Sequence, residues 1–250
     1  MNKKNYLKDW IHNKDKLIKA NVYNDLQEHS SCGVGLVASI KGIASRKIVE
    51  MGVEALKCLY HRGAVDADGK TGDGAGIHIN IPKVFFLEQI QRTGHEANNL
   101  PFAVGMIFLP RTNFATQERS RSIVETEIIK EGFKIFGWRH VPINSKLIGE
   151  KAKITRPEIE QILIGNDIYK EENDFDSKLY IIRRRIEKII RQENINDFYI
   201  CSLSSQSIIY KGMFLAEALS EFYPDLMDKR FISRFAIFHQ RYSTNTFPSW

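Results

Sequence analysis

The sequence predicts a mixed α and β fold of the α+β class, in which antiparallel strands and helices form stacked layers. Strand-like segments come in adjacent runs with helical segments grouped between them, which differs from the regular alternation of a doubly wound parallel sheet. The 250 residues are 43% hydrophobic and 26% charged, which is an ordinary globular composition. No internal repeat or low-complexity linker divides the chain. We therefore expect one domain preceded by a short leader.

The leader comprises residues 1–31, in which lysines and acidic residues are mixed and apolar residues are few. It contains no apolar stretch of the ~7–15 residues that a secretory signal needs, and none of the arginines typical of a mitochondrial presequence. Nowhere does the sequence approach the ~18 apolar residues of a membrane span. We expect a cytoplasmic protein that does not associate with membranes.

The pattern changes abruptly at Cys32. Apolar and small residues alternate over 32–38, which predicts a strand, and its glycines permit another part of the backbone to come close. Ser45 occupies a helix N-cap position, and apolar residues then recur at helical spacing over 48–59. Gly63 is the predicted end of this helix.

The remaining predicted elements follow a loop over 63–76 that is rich in Gly and Asp. Strands are predicted at 77–81, 102–109, 197–203, 207–211 and 235–239. The third and fourth of these are predicted to pair around the polar turn 204–206. Helices are predicted at 116–132, 155–164, 177–192 and 213–222.

The positive charge is spread along the chain. The net charge is +6 and the pI is near 9.1, values that would fit a nucleic-acid-binding protein. The densest basic cluster, Arg183–Arg185, lies opposite an apolar stripe at helical spacing, which is typical of the solvated face of an amphipathic helix. We therefore expect no nucleic-acid partner, and keep a non-catalytic basic binding module as an alternative.

The sequence predicts no metal site and no cofactor site in this chain. The loop at 66–71 resembles the tail of a P-loop, but its glycine spacing is one residue too long. Read as a calcium loop, it has Ile77 where the last acidic ligand is needed. Cys32, Cys58 and Cys201 share no CxxC spacing, which argues against a zinc site or a disulfide framework. We expect Cys58 and Cys201 to be inert core residues.

Three segments stand out together: HSSCGVG at 29–35, YHRG at 60–63 with GDGAG at 72–76, and HQRYST at 239–244. They resemble the class II glutamine amidotransferases, which are N-terminal-nucleophile (Ntn) hydrolases. The long block over 61–76 is most similar to the start of the large (alpha) subunit of the glutamate synthases. Another class II amidotransferase, such as amidophosphoribosyltransferase, shares the last segment and is the nearest alternative.

The resemblance implies a fold and domain boundaries. The expected fold is an Ntn-hydrolase four-layer αββα sandwich with two antiparallel sheets, truncated at the C-terminus. Residues 1–31 would be a leader or propeptide, and residues 32–250 the N-terminal part of a type 2 glutamine amidotransferase domain.

The resemblance also implies a mechanism. Removal of the leader makes Cys32 the first residue, and its thiolate attacks the side-chain amide of L-glutamine to form a thioester and release ammonia. The α-amine then exposed, with an ordinary pKa of ~8, can accept the thiol proton, which an acylated backbone nitrogen cannot do. Arg241 matches the family arginine that holds the substrate carboxylate, and Thr244 matches a hydroxyl residue that contacts the substrate. His61, Arg62 and Gly63 are expected to brace the nucleophile strand.

In a complete glutamate synthase the ammonia passes to 2-oxoglutarate, and glutamate forms by reduction. The resemblance therefore implies an oxidoreductase of ammonia assimilation that uses FMN and an iron–sulfur cluster, both held by the rest of the synthase chain. A small (beta) electron-donating subunit is the implied partner. The family's oxyanion-hole Asn-Gly pair is not found in 242–250, so this chain alone is expected to have low activity.

Overall fold

The computed structural model describes residues 3–20, 32–97, 100–169 and 172–250. The chain divides into two compact units, residues 1–31 and 32–250. The described part of the first unit is the helix α1 (Lys3–Lys19). None of the described helices is both long enough and apolar enough to cross a membrane.

The second unit contains strands and helices in irregular order. Its strands are β1 (Gly33–Ala38), β2 (Ala75–Asn80), β3 (Phe102–Leu109), β4 (Lys134–His140), β5 (Glu158–Gly165), β6 (Tyr199–Ser204), β7 (Ser207–Gly212) and β8 (Phe235–Gln240). Its helices are α2 (Arg46–Cys58), α3 (Lys83–Arg92), α4 (Phe114–Lys130), α5 (Glu150–Thr155), α6 (Glu172–Gln192) and α7 (Leu219–Phe222). Short 3₁₀ turns occur at Tyr60–Arg62, Ser145–Leu147, Ala216–Ala218 and Pro224–Met227.

The first sheet has the strand order β1-β8-β2-β7, and each neighbouring pair is antiparallel. Its strands alternate as half-buried strands do: Ile77 is buried, whereas the next residue, His78, is partly exposed. Helix α2 packs on the buried face, where a Cβ on Gly52 would lie 2.5 Å from the Cβ of Ala236. The close approach of helix and strand explains the glycine within this helix.

The second sheet has the strand order β4-β5-β3-β6 and is likewise antiparallel. Its chain order is β3-α4-β4-α5-β5-α6-β6, which is that of a split β-α-β unit like that of ferredoxins with the short helix α5 added between β4 and β5. Apolar residues of α4 and α6 form one core with a face of this sheet. The opposite face joins the core that includes the first sheet. This unit lies in sequence between β2 and β7, which are neighbours in the first sheet, with Asn80 opposite Ser207.

A buried ion pair joins the two sheets. The guanidinium of Arg139 in β4 donates to both carboxylate oxygens of Asp225, at 2.7 and 2.8 Å. Tyr210 of β7 donates its hydroxyl to the same carboxylate at 2.9 Å, and Gln161 of β5 donates to that hydroxyl at 3.1 Å. Burial, followed by the charge of Asp225, raises the pKa of Tyr210 well above its ordinary value, so the hydroxyl remains a donor.

The predicted α+β class with two antiparallel sheets is confirmed, but the helix predicted at 155–164 is wrong. Helix α5 ends at Thr155, because Pro157 disfavours helical backbone at Arg156, which is extended. The apolar residues beyond form β5, which is buried on both faces. Its apolar residues Ile159, Ile162 and Leu163 are spaced i, i+3 and i+4 with polar residues between them, which imitates a helix.

The strands on either side of the turn 204–206 were predicted to pair with each other, and this is wrong. β6 pairs with β3 in the second sheet, and β7 pairs with β2 in the first, so the turn carries the chain between sheets. Gly63 was predicted as the end of the helix that became α2, but α2 ends at Cys58, and Gly63 follows a 3₁₀ turn with extended backbone, φ −103° and ψ 147°. Strand β4 and helix α3 were not predicted.

Candidate active site

The topology of the first sheet brings the three family-like segments to one edge. Strands β1 and β2 flank β8 and run antiparallel to it, so both begin beside the end of β8. Gln240, the last residue of β8, is paired with Gly33 on one side and with Ala75 on the other. Cys32, the GDGAG loop and the segment after Gln240 therefore meet at this edge.

Cys32 is half-buried and lies against the backbone of Tyr242. The Tyr242 N–H donates to the sulfur at 3.4 Å, and the thiol is 3.5 Å from the Tyr242 carbonyl oxygen that accepts from it. A Cβ on Gly33 would lie 3.1–3.2 Å from side-chain atoms of Leu59 and Arg62. A small residue after the cysteine therefore lets β1 lie close to the turn that contains YHRG.

Three successive backbone N–H groups hold the segment after β8. The Arg241 N–H donates to the carbonyl of Gly74 at 2.8 Å. The Tyr242 N–H faces the Cys32 sulfur, and the Ser243 N–H donates to the Asp73 carboxylate at 2.5 Å. The loop before β2 thus fixes the residues on both sides of the one that contacts the thiol.

The glycines on either side of Asp73 are required for two different structural reasons. Gly74 has a φ of +131°, which L side chains rarely adopt. A Cβ on Gly72 would lie 2.7 Å from the backbone carbon of Phe214, which cannot move aside as a flexible side chain can. The motif GDG is therefore required by backbone geometry, and it directs Asp73 toward Ser243.

Arg241 lines a cavity of about 260 Å³ at this edge, together with Asp73, Lys211, His239 and Trp250. Its guanidinium donates to Thr246 Oγ1 at 2.5 Å. Desolvation, then the charge of Arg241, lowers the pKa of His239, so this histidine is neutral at pH 7. The cationic side chain of Arg241 makes the cavity suited to a small molecule with a carboxylate, whereas the ammonium of Lys211 lies over the Tyr199 ring, 4.1 Å from its centroid.

The other predicted site residues lie outside that cavity wall. Cys32 is adjacent, through its contact with Tyr242, but is not among the residues that line the cavity. Thr244 is exposed on the loop after β8 and does not line the cavity either. The structure therefore brings Cys32 against the backbone of Tyr242, which directly follows Arg241 and lies two residues before Thr244.

Two residues that sequence reasoning gave no role contribute to this arrangement: Asp73 and Gln240. The fully buried amide of Gln240 accepts from the Ala216 N–H at 2.8 Å and donates to the Gly74 carbonyl at 3.3 Å. A Cβ on Gly63 would lie 2.4 Å from this amide, so YHRG packs against the strand end as a brace. An acidic residue between two glycines was the available signal for Asp73.

The other two cysteines differ from each other. Cys201 is buried, and desolvation raises its pKa to about 12, which fits the predicted inert core residue. Cys58 is exposed at the end of α2, so its prediction as a core residue is wrong. The apolar stripe of α2 ends at Leu56, and Cys58 lies beyond the buried face. Among the described residues, no three His, Cys, Asp or Glu side chains are grouped so as to hold a metal ion.

Comparison with known proteins identifies relatives over most of this chain. The family model of the class-II glutamine amidotransferases matches residues 32–250. The chain is 59% identical over 245 residues to the glutamate synthase [NADPH] large chain of Azospirillum brasilense, covering 98% of this chain and 16% of that relative. It is 41% identical over 235 residues to the ferredoxin-dependent glutamate synthase 1 of Arabidopsis thaliana, covering 92% and 14%. For the glutamate synthase [NADPH] large chain of Bacillus subtilis the identity is 40% over 238 residues, covering 92% and 15%.

The chain thus spans about a sixth of the length of these curated relatives. The family match begins at Cys32 and continues through β8 and the segment that contacts the cysteine sulfur. It covers most of the sequence, and the matched residues include every segment that meets at the edge of the first sheet. The chain belongs to the class-II glutamine amidotransferase family.

Proposed function

We propose that Cys32 is the nucleophile of a glutamine-hydrolysing site whose ammonia is used to make glutamate. The observation that carries this proposal is the position of the Cys32 sulfur, 3.4 Å from the backbone nitrogen of Tyr242. The residue before Tyr242 is Arg241, which lines an amino-acid-sized cavity. A thiol, a cationic carboxylate binder and a defined cavity are what hydrolysis of a free amino-acid amide requires.

The proposed reaction proceeds through a thioester. The Cys32 sulfur attacks the side-chain amide carbon of glutamine, the carbon–nitrogen bond breaks, and ammonia leaves with the proton taken from the thiol. Water then cleaves the thioester to give glutamate. The proton carrier is the α-amine of Cys32, which becomes free when the peptide bond after Ser31 is cut. We therefore propose residues 1–31 as a propeptide and Cys32 as the first residue of the active protein.

Arg241 is proposed to hold the substrate carboxylate, and Thr244 to contact the substrate. The planar guanidinium can offer two parallel donors to a carboxylate, which an ammonium cannot imitate. We expect Arg241→Lys to raise the KM for glutamine with a smaller effect on kcat. An unchanged KM would contradict the assignment. The matched control is Lys211→Arg, which keeps a cation whose charged end lies over the Tyr199 ring and leaves Arg241 in place.

The test uses the intact polypeptide, meaning the natural chain that contains these residues, and an electrophilic glutamine analogue, 6-diazo-5-oxo-L-norleucine. After labelling, peptide mass mapping should find the modification on Cys32, protected by glutamine, and absent from the Cys32→Ser variant. Exposed Cys58 serves as an internal control for unselective alkylation. Modification of Cys58 in place of Cys32 would refute the proposed nucleophile. Mass spectrometry of the same sample should find an N-terminus at Cys32.

The use of ammonia for glutamate synthesis is proposed from the relatives, whose names are glutamate synthases. We propose that FMN, an iron–sulfur cluster and the binding site for 2-oxoglutarate belong to the remainder of the synthase chain, with a small beta subunit as electron-donating partner. Relatives are named both for NADPH and for ferredoxin, so we propose no particular donor. The cytoplasmic location remains a prediction from residues 1–31.

The alternative of a nucleic-acid-binding module is not favoured by the basic helix α6. Arg183 donates to Glu187 at 2.8 Å and to the Ile200 carbonyl at 2.9 Å, and Arg185 pairs with Glu131. These guanidinium groups already have protein partners, and the opposite side of the helix is packed in the core. The comparisons also favour the glutamate synthases over other class II amidotransferases, since the relatives found carry that name.

A further inference from the structure

Asp73 is the one carboxylate among the described residues that accepts a hydrogen bond from the backbone beside the candidate nucleophile. Its Oδ2 accepts from the Ser243 N–H at 2.5 Å, and the next residue, Gly74, accepts from the Arg241 N–H at 2.8 Å. Between these two anchors lies Tyr242, whose N–H faces the Cys32 sulfur at 3.4 Å. The peptide that contacts the sulfur is therefore held from both sides by one loop.

The two anchors are not equivalent. The bond from Arg241 to Gly74 joins two backbones next to the paired strands β8 and β2, and it follows from the sheet register. The bond from Ser243 depends on a side chain and lies beyond the last strand pair. A hydrogen bond to an ionised acceptor is stronger than one between neutral groups. Removing the Asp73 carboxylate would therefore release the outer half of the segment and leave the sheet intact.

Arg241 shares this dependence. Its guanidinium donates to Ser243 Oγ at 3.3 Å and to Thr246 Oγ1 at 2.5 Å, so its direction is set by the same loop that Asp73 anchors. When the Ser243 backbone moves, both of these acceptors move with it. The guanidinium would then lose its fixed place on the cavity wall.

We propose that Asp73 is a positioning residue that fixes the segment 241–243, so that Arg241 is directed into the cavity while Tyr242 remains against Cys32. This inference rests on the proposed function, because it assigns Arg241 to the substrate carboxylate. Its consequence is selective: loss of the Asp73 carboxylate weakens binding of a glutamine-like molecule far more than it changes the reactivity of the thiol itself. Alkylation needs only an accessible thiolate and no substrate site, so displacement of the segment alters that reactivity less than it alters binding at the cavity.

The experiment compares two reagents on the intact polypeptide and its Asp73→Ala variant. One reagent is 6-diazo-5-oxo-L-norleucine, which needs the substrate site, and the other is iodoacetamide, which does not. For Asp73→Ala we expect kinact/KI of the glutamine analogue at Cys32 to fall by roughly tenfold or more, chiefly through a higher KI. The iodoacetamide rate at Cys32 should remain within about threefold of the original.

Two further variants separate positioning from other effects. Asp73→Asn retains a carbonyl oxygen that can accept from Ser243, and should recover most of the selectivity. Asp66→Asn is the matched control: this carboxylate is in the same loop but accepts from Lys151 and the Ala67 N–H rather than from the segment after β8. Asp66→Asn should be labelled at Cys32 by both reagents at the rates of the original protein. Buried Cys201 reports on folding in every sample, since it reacts only when the core opens.

The outcomes are distinct. If the original protein shows no saturable labelling of Cys32 by the glutamine analogue, both the proposed function and this inference fail. If the original is labelled and Asp73→Ala is labelled equally well, only the role of Asp73 is refuted. Equal losses with both reagents, or alkylation of Cys201 in Asp73→Ala, would show a general effect on the fold and would also overturn it. If kinact/KI of the glutamine analogue is no higher for Asp73→Asn than for Asp73→Ala, the hydrogen bond to Ser243 is excluded as the cause.

Discussion

Replacing Asp225 by Asn should destabilise the second unit strongly, because Asp225 is the acidic partner in the ion pair between the sheets. The side chain of Asp225 is only 3% exposed and that of Arg139 14% exposed. Removing one partner of a buried pair costs about 3–5 kcal/mol, since the other charge remains without compensation. Arg139 keeps the amide oxygens of Gln161 and Gln89 as acceptors, at 2.7 and 3.1 Å. We therefore expect the lower end of that range, about 3 kcal/mol.

The measurement is urea unfolding of the chain followed by circular dichroism. With the slopes usual for small domains, 3 kcal/mol corresponds to a midpoint lowered by roughly 1–3 M urea. The control is Asp197→Asn, which removes a carboxylate from an exposed position and should change the midpoint little. The double variant Asp225→Asn with Arg139→Met should lose less than the sum of the single variants, because it removes the unpaired charge. Equal midpoints for Asp225→Asn and Asp197→Asn would refute the claim that this pair is a buried, compensated charge.

Three other predictions follow from packing and charge. Exposed Cys58 should react with a disulfide reagent in the folded protein, whereas Cys201, whose pKa burial raises to about 12, should react only after denaturation; equal rates for the two would contradict their assigned burial. Gly52→Ala should destabilise the protein by about 1–3 kcal/mol in the same urea assay, because the new Cβ meets Ala236, although alanine has the better helix propensity. Adding Ala236→Gly should recover part of the lost stability. No recovery would exclude the contact with Ala236 as the cause. A hydrogen bond from Arg230 lowers the pKa of Asp228 to about 2, so the stability that Asp228 contributes is present above about pH 4 and is lost as the pH falls toward 2. Asp228→Asn should therefore flatten this part of the acid-unfolding curve. An unchanged curve would refute this contribution of Asp228.

The sequence predicted the α+β class and most buried elements, and it failed where tertiary contacts decide. Strand β3 was predicted with its observed bounds, because its uninterrupted apolar run is closed by Pro110. Strand β5 was misread as a helix, because polar residues separate its apolar ones at helical spacing. Strand β4 was missed because polar residues interrupt it and a bulge at Gly137, with φ +132°, shifts its register.

The candidate site was predictable as residue types and not as contacts. The resemblance singled out Cys32, Arg241 and Thr244 by residue type and position in the motifs. The contacts of Asp73 and Gln240 depend on β1 and β2 both lying beside β8, and pairing across more than 150 residues cannot be deduced from local pattern. The misplacement of Cys58 arose in the same way, since helical spacing defines a stripe but not the point at which the core ends.

The pairing of Asn80 with Ser207 means that the chain leaves the first sheet and re-enters it at almost the same place. Everything between those residues, including the whole second sheet and its helices, is topologically a long insertion between the two strands of a single hairpin. A protein that joined β2 directly to β7 by a tight turn would keep the strand order of the first sheet and the meeting of three segments around the cysteine. In such a shortened protein Arg139 would be lost together with the insertion, so its buried partner Asp225 would have to be replaced as well.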